Sequence, residues 1–189
     1  FTLNQQIIMK KNRFGKARIL YPDELDALVD SIPYSSHKVL ATLLRFTGCR
    51  CSEAAMSKWK HYSSGFLLLP KTNTKTDTSR SIPINNKLKL ELDLWKQHCK
   101  PVSDDEFIFK GRYPKSHLKR QSFDKALRKY SPYSDVSTHS FRRSVLTAMK
   151  RKGVSLDVIR SISGHADIKT LEIYLGIDSV EQFAAVNVL

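Results

Sequence analysis

The sequence predicts a mainly α-helical domain carrying a small antiparallel β-sheet, an α+β fold. Three observations predict it. Apolar residues recur at helical spacing along most of the chain, as in Leu25, Leu28, Val29 and Ile32. Two short apolar runs, GFLLLP over 65–70 and RSIPI over 80–84, flank a Thr- and Lys-rich stretch and read as paired strands. The chain has 189 residues, 41% of them hydrophobic and 26% charged, enough for one domain with a real core.

Residues 1–20 contain KKNRFGKAR, a basic segment that is either an unstructured tail or a linker lying along phosphates. Pro22 and two acids open a helix over 21–32. A second helix runs from Ser36 to Thr47, with Val39, Leu40, Leu43, Leu44 and Phe46 mostly inward, and Gly48 stops it. A third is expected to start at Ser52 as N-cap, which places Arg50 at a helix junction. KTNTKTDT joins the two strands as a turn region. Asn86 to Cys99 is ambiguous. Leu88, Leu90, Leu92 and Leu94 alternate as in a strand, yet the stretch has no β-branched residue, and Leu88, Leu92, Trp95 and Cys99 form a helical stripe. We read it as a helix. Phe107 to Phe109 reads as a short strand and Tyr113 to Tyr130 as a basic helix with Asp124 its one acid. Helices follow over 138–152, over 155–162 with Ser155 as cap, over 167–175 and over 179–188.

A net charge of +14 and a pI near 9.8 call for a polyanionic partner, nucleic acid or an anionic membrane surface. No run is long and apolar enough to span a bilayer, and no signal peptide is visible. Three cysteines make no disulfide framework, so a reducing, intracellular compartment is the simpler reading. Cys49-x-Cys51 with His61 is a poor zinc set, and no acidic metal cluster is visible, so neither metal nor cofactor is expected. The chain opens on Phe, which suggests a fragment with an N-terminal portion missing.

The chain is organised around residues 138–176. His139 and Arg142 sit one helical turn apart on one face. Two adjacent cations repel, so stability alone would not choose them; an anion between them would. Gly164-His165 and then Tyr174 follow. At pH 7 only about one tyrosine in a thousand is a phenolate. It becomes a nucleophile when a base takes its proton and cations favour the anion. Two histidines, an arginine and a tyrosine together suggest phosphate chemistry. Taken singly, each has a bland alternative: His139 an idle helix residue, His165 a loop histidine, Tyr174 a core aromatic.

These residues resemble the catalytic domain of the tyrosine recombinase (phage integrase) family. H-x-x-R, then G-H, then Tyr at this spacing is the family's pattern. Thr47-Gly48-Cys49-Arg50-Cys51-Ser52-Glu53 is similar to its T-G-x-R-x-x-E box, and Lys75 before RSIPI stands where its lysine should. The resemblance covers about residues 21–177. Cys49, Cys51 and I-S-G-H depart from the usual residues without changing a reacting group.

The resemblance implies the tyrosine recombinase catalytic-domain fold and a site of Arg50, Lys75, His139, Arg142, His165 and the nucleophile Tyr174, with Glu53 supporting. Arg50 and Arg142 would hold phosphate oxygens, Lys75 would protonate the leaving 5′-oxygen, His139 would act as base and His165 as a hydrogen-bond donor. Lys71 competes with Lys75 for the lysine role, and Arg50 with Glu53 could be a plain salt bridge. Lys71, Lys115, Lys119, Arg120 and Arg143 are expected to contact DNA. Residues 1–20 would then be a linker, 21–177 the catalytic domain, and 178–189 a helix docked on its own core or exchanged between protomers. Double-stranded DNA, a tetramer on two DNA sites, no membrane, and the cytoplasm of a bacterial or phage-infected cell are the implied setting, on a phage or mobile element. Two rivals stay open: a basic DNA-binding module without catalysis, and a type IB topoisomerase-like enzyme.

Overall fold

The computed structural model describes residues 17–63, 65–74, 77–175 and 187, and the side chains of Ile173 and Tyr174 fall outside that description. In chain order the elements are α1 (Pro22–Ser31), α2 (Ser36–Thr47), α3 (Cys51–Ala55), a 3-10 turn (Trp59–His61), β1 (Tyr62–Ser63), β2 (Phe66–Leu69), a second 3-10 turn (Lys71–Asn73) and β3 (Arg80–Pro83). Then come α4 (Asn86–Cys99), α5 (Arg120–Tyr130), α6 (Thr138–Arg151), α7 (Leu156–Ser163) and α8 (Ile168–Tyr174). The strands form one antiparallel sheet in the order β1-β2-β3, with Leu67 opposite Ile82 and Leu69 opposite Arg80.

Helix α2 is the spine. Its Val39, Leu40, Ala41, Leu43 and Leu44 are fully buried, and it packs against α1, α3, α4 and α6. Each of these Val and Leu side chains contributes about 1.5–3 kcal/mol of burial. Gly48 ends α2 in the left-handed conformation, at φ +62°. A Cβ there would meet Val145 Cγ1 at 3.0 Å, so glycine serves both the turn and the close approach of α6. Phe141 and Val145 of α6 enter the main core with Trp59, Phe109 and Phe123. On its other side Leu146 packs with Ile159, Leu171 and Leu175. That second cluster seats α7 and α8 against the helix carrying His139 and Arg142.

Four readings from sequence need correction. Arg50, in extended conformation, is the N-cap of α3, and Ser52 lies inside the helix. Phe107 to Phe109 does not form a strand. It makes an isolated bridge from Phe107 to Lys58, and Leu118 N–H donates to the Phe109 carbonyl at 2.8 Å. The basic helix starts at Arg120 rather than Tyr113, because Lys115 is in the left-handed region at φ +54° and Gly111 N–H donates to the Ser116 carbonyl. Residues 17–20 are not loose linker. Leu20 is buried and its N–H donates to Ser144 Oγ at 2.7 Å. The helix expected over 179–188 lies outside the described residues.

Candidate active site

Helix junctions build the pocket. Gly48 turns the chain at the end of α2, so Arg50 stands at the first turn of α3. The N-terminus of α6 supplies Thr138, His139 and Arg142. Gly164, left-handed at φ +67°, ends α7 and turns His165 inward. Asp167 then caps α8, accepting from Thr170 N–H at 2.6 Å. Arg50, Cys51, Ser52, Arg120, Thr138, His139, Arg142, His165 and Thr170 line one cavity of about 380 Å³.

Arg142 is the anchor and is only 2% exposed. It donates to the Gly48 carbonyl at 3.1 Å and to the Ser163 carbonyl at 2.8 Å, and its Nη2 lies 3.2 Å from His165 Nε2. Burial, then the nearby Arg50 charge, push its pKa down to about 10, so it remains a cation at neutral pH. His165 is also buried, with the Ser163 hydroxyl 2.8 Å from its Nδ1. Burial first, then the charges of Arg142, Arg50 and Arg80, push it down to about 4. It is therefore neutral at pH 7. A neutral imidazole presents one donor and one acceptor nitrogen to its neighbours Ser163 and Arg142.

Glu53 is 1% exposed and balances this positive interior. Its Oε1 accepts from Arg50 Nη1 at 2.7 Å and its Oε2 accepts from Arg80 Nη2. Burial pushes the carboxyl up, but the bonds and charges of Arg80 and Arg50 outweigh it and hold it below its ordinary value. Arg50, with its side chain 25% exposed, keeps access to the cavity.

The structure brings Arg50, His139, Arg142 and His165 to one cavity, with Glu53 paired to Arg50 behind it. Tyr174 is the last residue of α8, one helical turn beyond Thr170. Lys75 lies outside the described residues. Its competitor Lys71 sits in the exposed 3-10 turn at the end of β2. Lys115 and Lys119 are exposed in the segment before α5, while Arg120 opens α5 and faces the cavity. Arg143 points elsewhere. It is buried and donates to the Ala17 carbonyl, so it secures residues 17–20 to α6 rather than facing a ligand. Sequence reasoning missed Arg80, noted only as the opening of a strand. A lone cation beginning an otherwise apolar strand was the available signal. Among the described residues no group of His, Cys, Asp and Glu side chains could hold a metal ion.

The phage integrase family model matches residues 18–180, most of the chain. The chain belongs to that family. Among relatives of this phage integrase family member, a tyrosine recombinase of Pseudothermotoga lettingae is 26% identical over 175 residues, covering 90% of this chain and 60% of the relative. The crystal structure of XerA recombinase matches with a TM-score of 0.76 at 17% identity, over 94% of this chain and 65% of that one. A XerH site-specific recombinase bound to a palindromic difH substrate, in a post-cleavage complex, matches with a TM-score of 0.73 at 22% identity, over 93% and 54%. Both structures share the fold: helices around a small antiparallel sheet. The chain spans about 60% of the length of the curated relative above.

Proposed function

We propose that this chain is the catalytic part of a site-specific DNA recombinase, cutting and rejoining strands through Tyr174. The observation that carries the reading is the convergence of Arg50, Arg142, His139 and His165 on one cavity whose wall includes Thr170, on the same helix as Tyr174. A pocket lined by three guanidiniums, those of Arg50, Arg120 and Arg142, and by a neutral histidine suits a phosphodiester. The attacking oxygen adds negative charge to the non-bridging oxygens, and fixed cations stabilise it without reorganising.

In this scheme Arg50 and Arg142 grip the two non-bridging oxygens, and His165 donates a further bond. His139, at the exposed mouth of the cavity, takes the proton from Tyr174. The Tyr174 oxygen bonds to phosphorus as the bond to the 5′-oxygen breaks. Lys75 gives that leaving oxygen its proton, and a 3′-phosphotyrosine results. One phosphoester replaces another, so the step is nearly isoenergetic and reverses when a 5′-hydroxyl attacks. Double-stranded DNA is the partner, a reading that the +14 charge and the DNA-bound XerH neighbour support. Two DNA sites held by four protomers, in the cytoplasm and on a phage or mobile element, complete the proposal. Among the described residues no helix is long and apolar enough to cross a membrane.

The test is covalent capture. Duplexes nicked just past candidate scissile phosphates are incubated with the protein, then resolved on a denaturing gel and analysed by mass spectrometry. The expected result is an adduct on Tyr174 that Tyr174→Phe abolishes while binding persists. Linkage undiminished in Tyr174→Phe would remove the nucleophile, and tight binding with no adduct on any fragment would favour a binding module.

A further inference from the structure

We propose that Arg80 is a positioning residue that joins the two halves of the pocket, holding Arg50 through Glu53 and the Ser163–His165 turn through the Ile162 carbonyl. The role assigned rests on the recombinase reading above. Arg80 opens β3, opposite Leu69. Its Nη2 donates to Glu53 Oε2 and its Nε donates to the Ile162 carbonyl at 3.1 Å. Glu53 in turn holds Arg50 at the start of α3. Ile162 lies in the last turn of α7, directly before the turn that carries His165. One planar guanidinium thus ties the sheet, α3 and α7 together, and the cavity does not include it.

Three features separate this from an incidental salt bridge. First, the side chain of Arg80 is 10% exposed and its Nη1 is buried without a hydrogen-bond partner among the described residues. Stability alone rarely chooses a buried guanidinium with an idle donor, since apolar replacement of such groups is often neutral or better. Second, Gly164 is cut to fit it. A Cβ at Gly164 would stand 2.6 Å from Arg80 Nη1 and 2.8 Å from its Cζ. The glycine of the I-S-G-H box therefore serves both its left-handed turn and the seat of Arg80. Third, the acceptors lie on two different elements, which a fork can reach together and a point charge cannot.

The experiment uses the full chain and the nicked duplexes described above, under single-turnover conditions. Arg80→Met is expected to slow covalent linkage about 100-fold, the scale of a sub-ångström-to-ångström misplacement, with DNA affinity held within about threefold. Arg80→Lys should recover about tenfold of that loss, because it restores the charge but not the fork. Gly164→Ala should slow linkage more in the Arg80 protein than in the Arg80→Met background, where the left-handed strain remains but no guanidinium is left to clash. Linkage at the unsubstituted rate in Arg80→Met overturns the proposal. So does a parallel fall in affinity and linkage, or a Gly164→Ala cost equal in both backgrounds. If Arg80→Met does not fold, Arg80→Lys decides alone: slowed linkage at native affinity supports the role, and unchanged linkage overturns it. A DNA-free readout separates this from the recombinase reading. Titration of the His165 ring by NMR should show its midpoint rise in Arg80→Met, or in Arg80→Lys a smaller change. An unmoved midpoint in Arg80→Met sinks the Arg80 proposal even if adducts form. A raised midpoint with no adduct from the unsubstituted protein leaves Arg80 placed and sinks the reaction instead.

Discussion

Glu53→Gln removes the one carboxylate between Arg50 and Arg80 and leaves the shape of the side chain almost unchanged. The magnitude follows from burial. Removing one partner of a buried ion pair costs about 3–5 kcal/mol, because the remaining charge stays desolvated. Arg80 is 10% exposed and carries close to the full cost; Arg50 is 25% exposed, so water screens part of its share. The expected loss at pH 7 is about 3 kcal/mol, or about 6–12 °C in Tm for a chain of this size. Urea unfolding of both proteins at several pH values measures it. The sign is fixed by linkage. Glu53 is held below its ordinary value in the fold, so its stabilisation is complete above the unfolded-state pKa of about 4.3 and lost as pH falls through the lower folded value. The gap between the two proteins should therefore be full at pH 7 and close in acid below about pH 4. A gap under about 1 kcal/mol at pH 7, or one that stays constant into acid, would refute the assignment of Glu53 as the charged tie between the arginines.

Other predictions use different parts of the molecule. Gly48→Ala should cost about 1–3 kcal/mol, from the left-handed strain and the approach of its Cβ to Val145, and thermal melts would show it. His165, pushed down to about 4, stays neutral in the fold while the unfolded chain protonates near pH 6.5, so stability should fall by roughly 2–3 kcal/mol as pH drops from 6.5 to 4. His165→Gln should flatten that limb in the same urea series. Arg142→Lys keeps the charge but loses the fork that holds the Gly48 and Ser163 carbonyls, and linkage to nicked DNA should fall about 100- to 1000-fold. Lys119→Ala should lower the slope of log affinity against log salt by about 1 with little change in linkage rate once bound, whereas Arg143→Ala should leave that slope alone and destabilise the fold.

Local signals made much of the fold legible. Helices α2 and α4 run over the residues their patterns indicated, because each carries its own punctuation: Gly48 after one, and Asn85 before the other, accepting from Leu88 N–H at 2.9 Å. The ambiguous alternation in α4 resolved through packing. Leu88, Leu92 and Trp95 are buried, whereas Leu90 and Leu94 are exposed. The early start assigned to α5 failed because the pairing of residues 111 and 118 with 116 and 109 is not written in any propensity. The same division runs through the site. Arg50, His139, Arg142 and His165 were legible as motif residues at fixed spacing. The opposite fates of the neighbours Arg142 and Arg143 depend on which side of α6 meets the core. Arg80 could not be placed from sequence, since its acceptors are 27 and 82 residues away.

Those separations also set an order of assembly. The contact between Glu53 and Arg80 closes within the first half of the chain, but Arg142 reaches the Gly48 carbonyl across 94 residues, and Leu20 reaches Ser144 across 124. Closing loops of that length is slow and becomes favourable only when packing repays it. Because α6, α7 and α8 follow α1 to α5 in the chain, a nascent chain ending before residue 138 holds Arg50 already tied to Glu53 but lacks the His139, Arg142 and His165 of the cavity. The cavity proposed to hold a phosphate is thus completed late in the chain, and on the recombinase reading an unfinished copy carries positive charge without the means to break DNA.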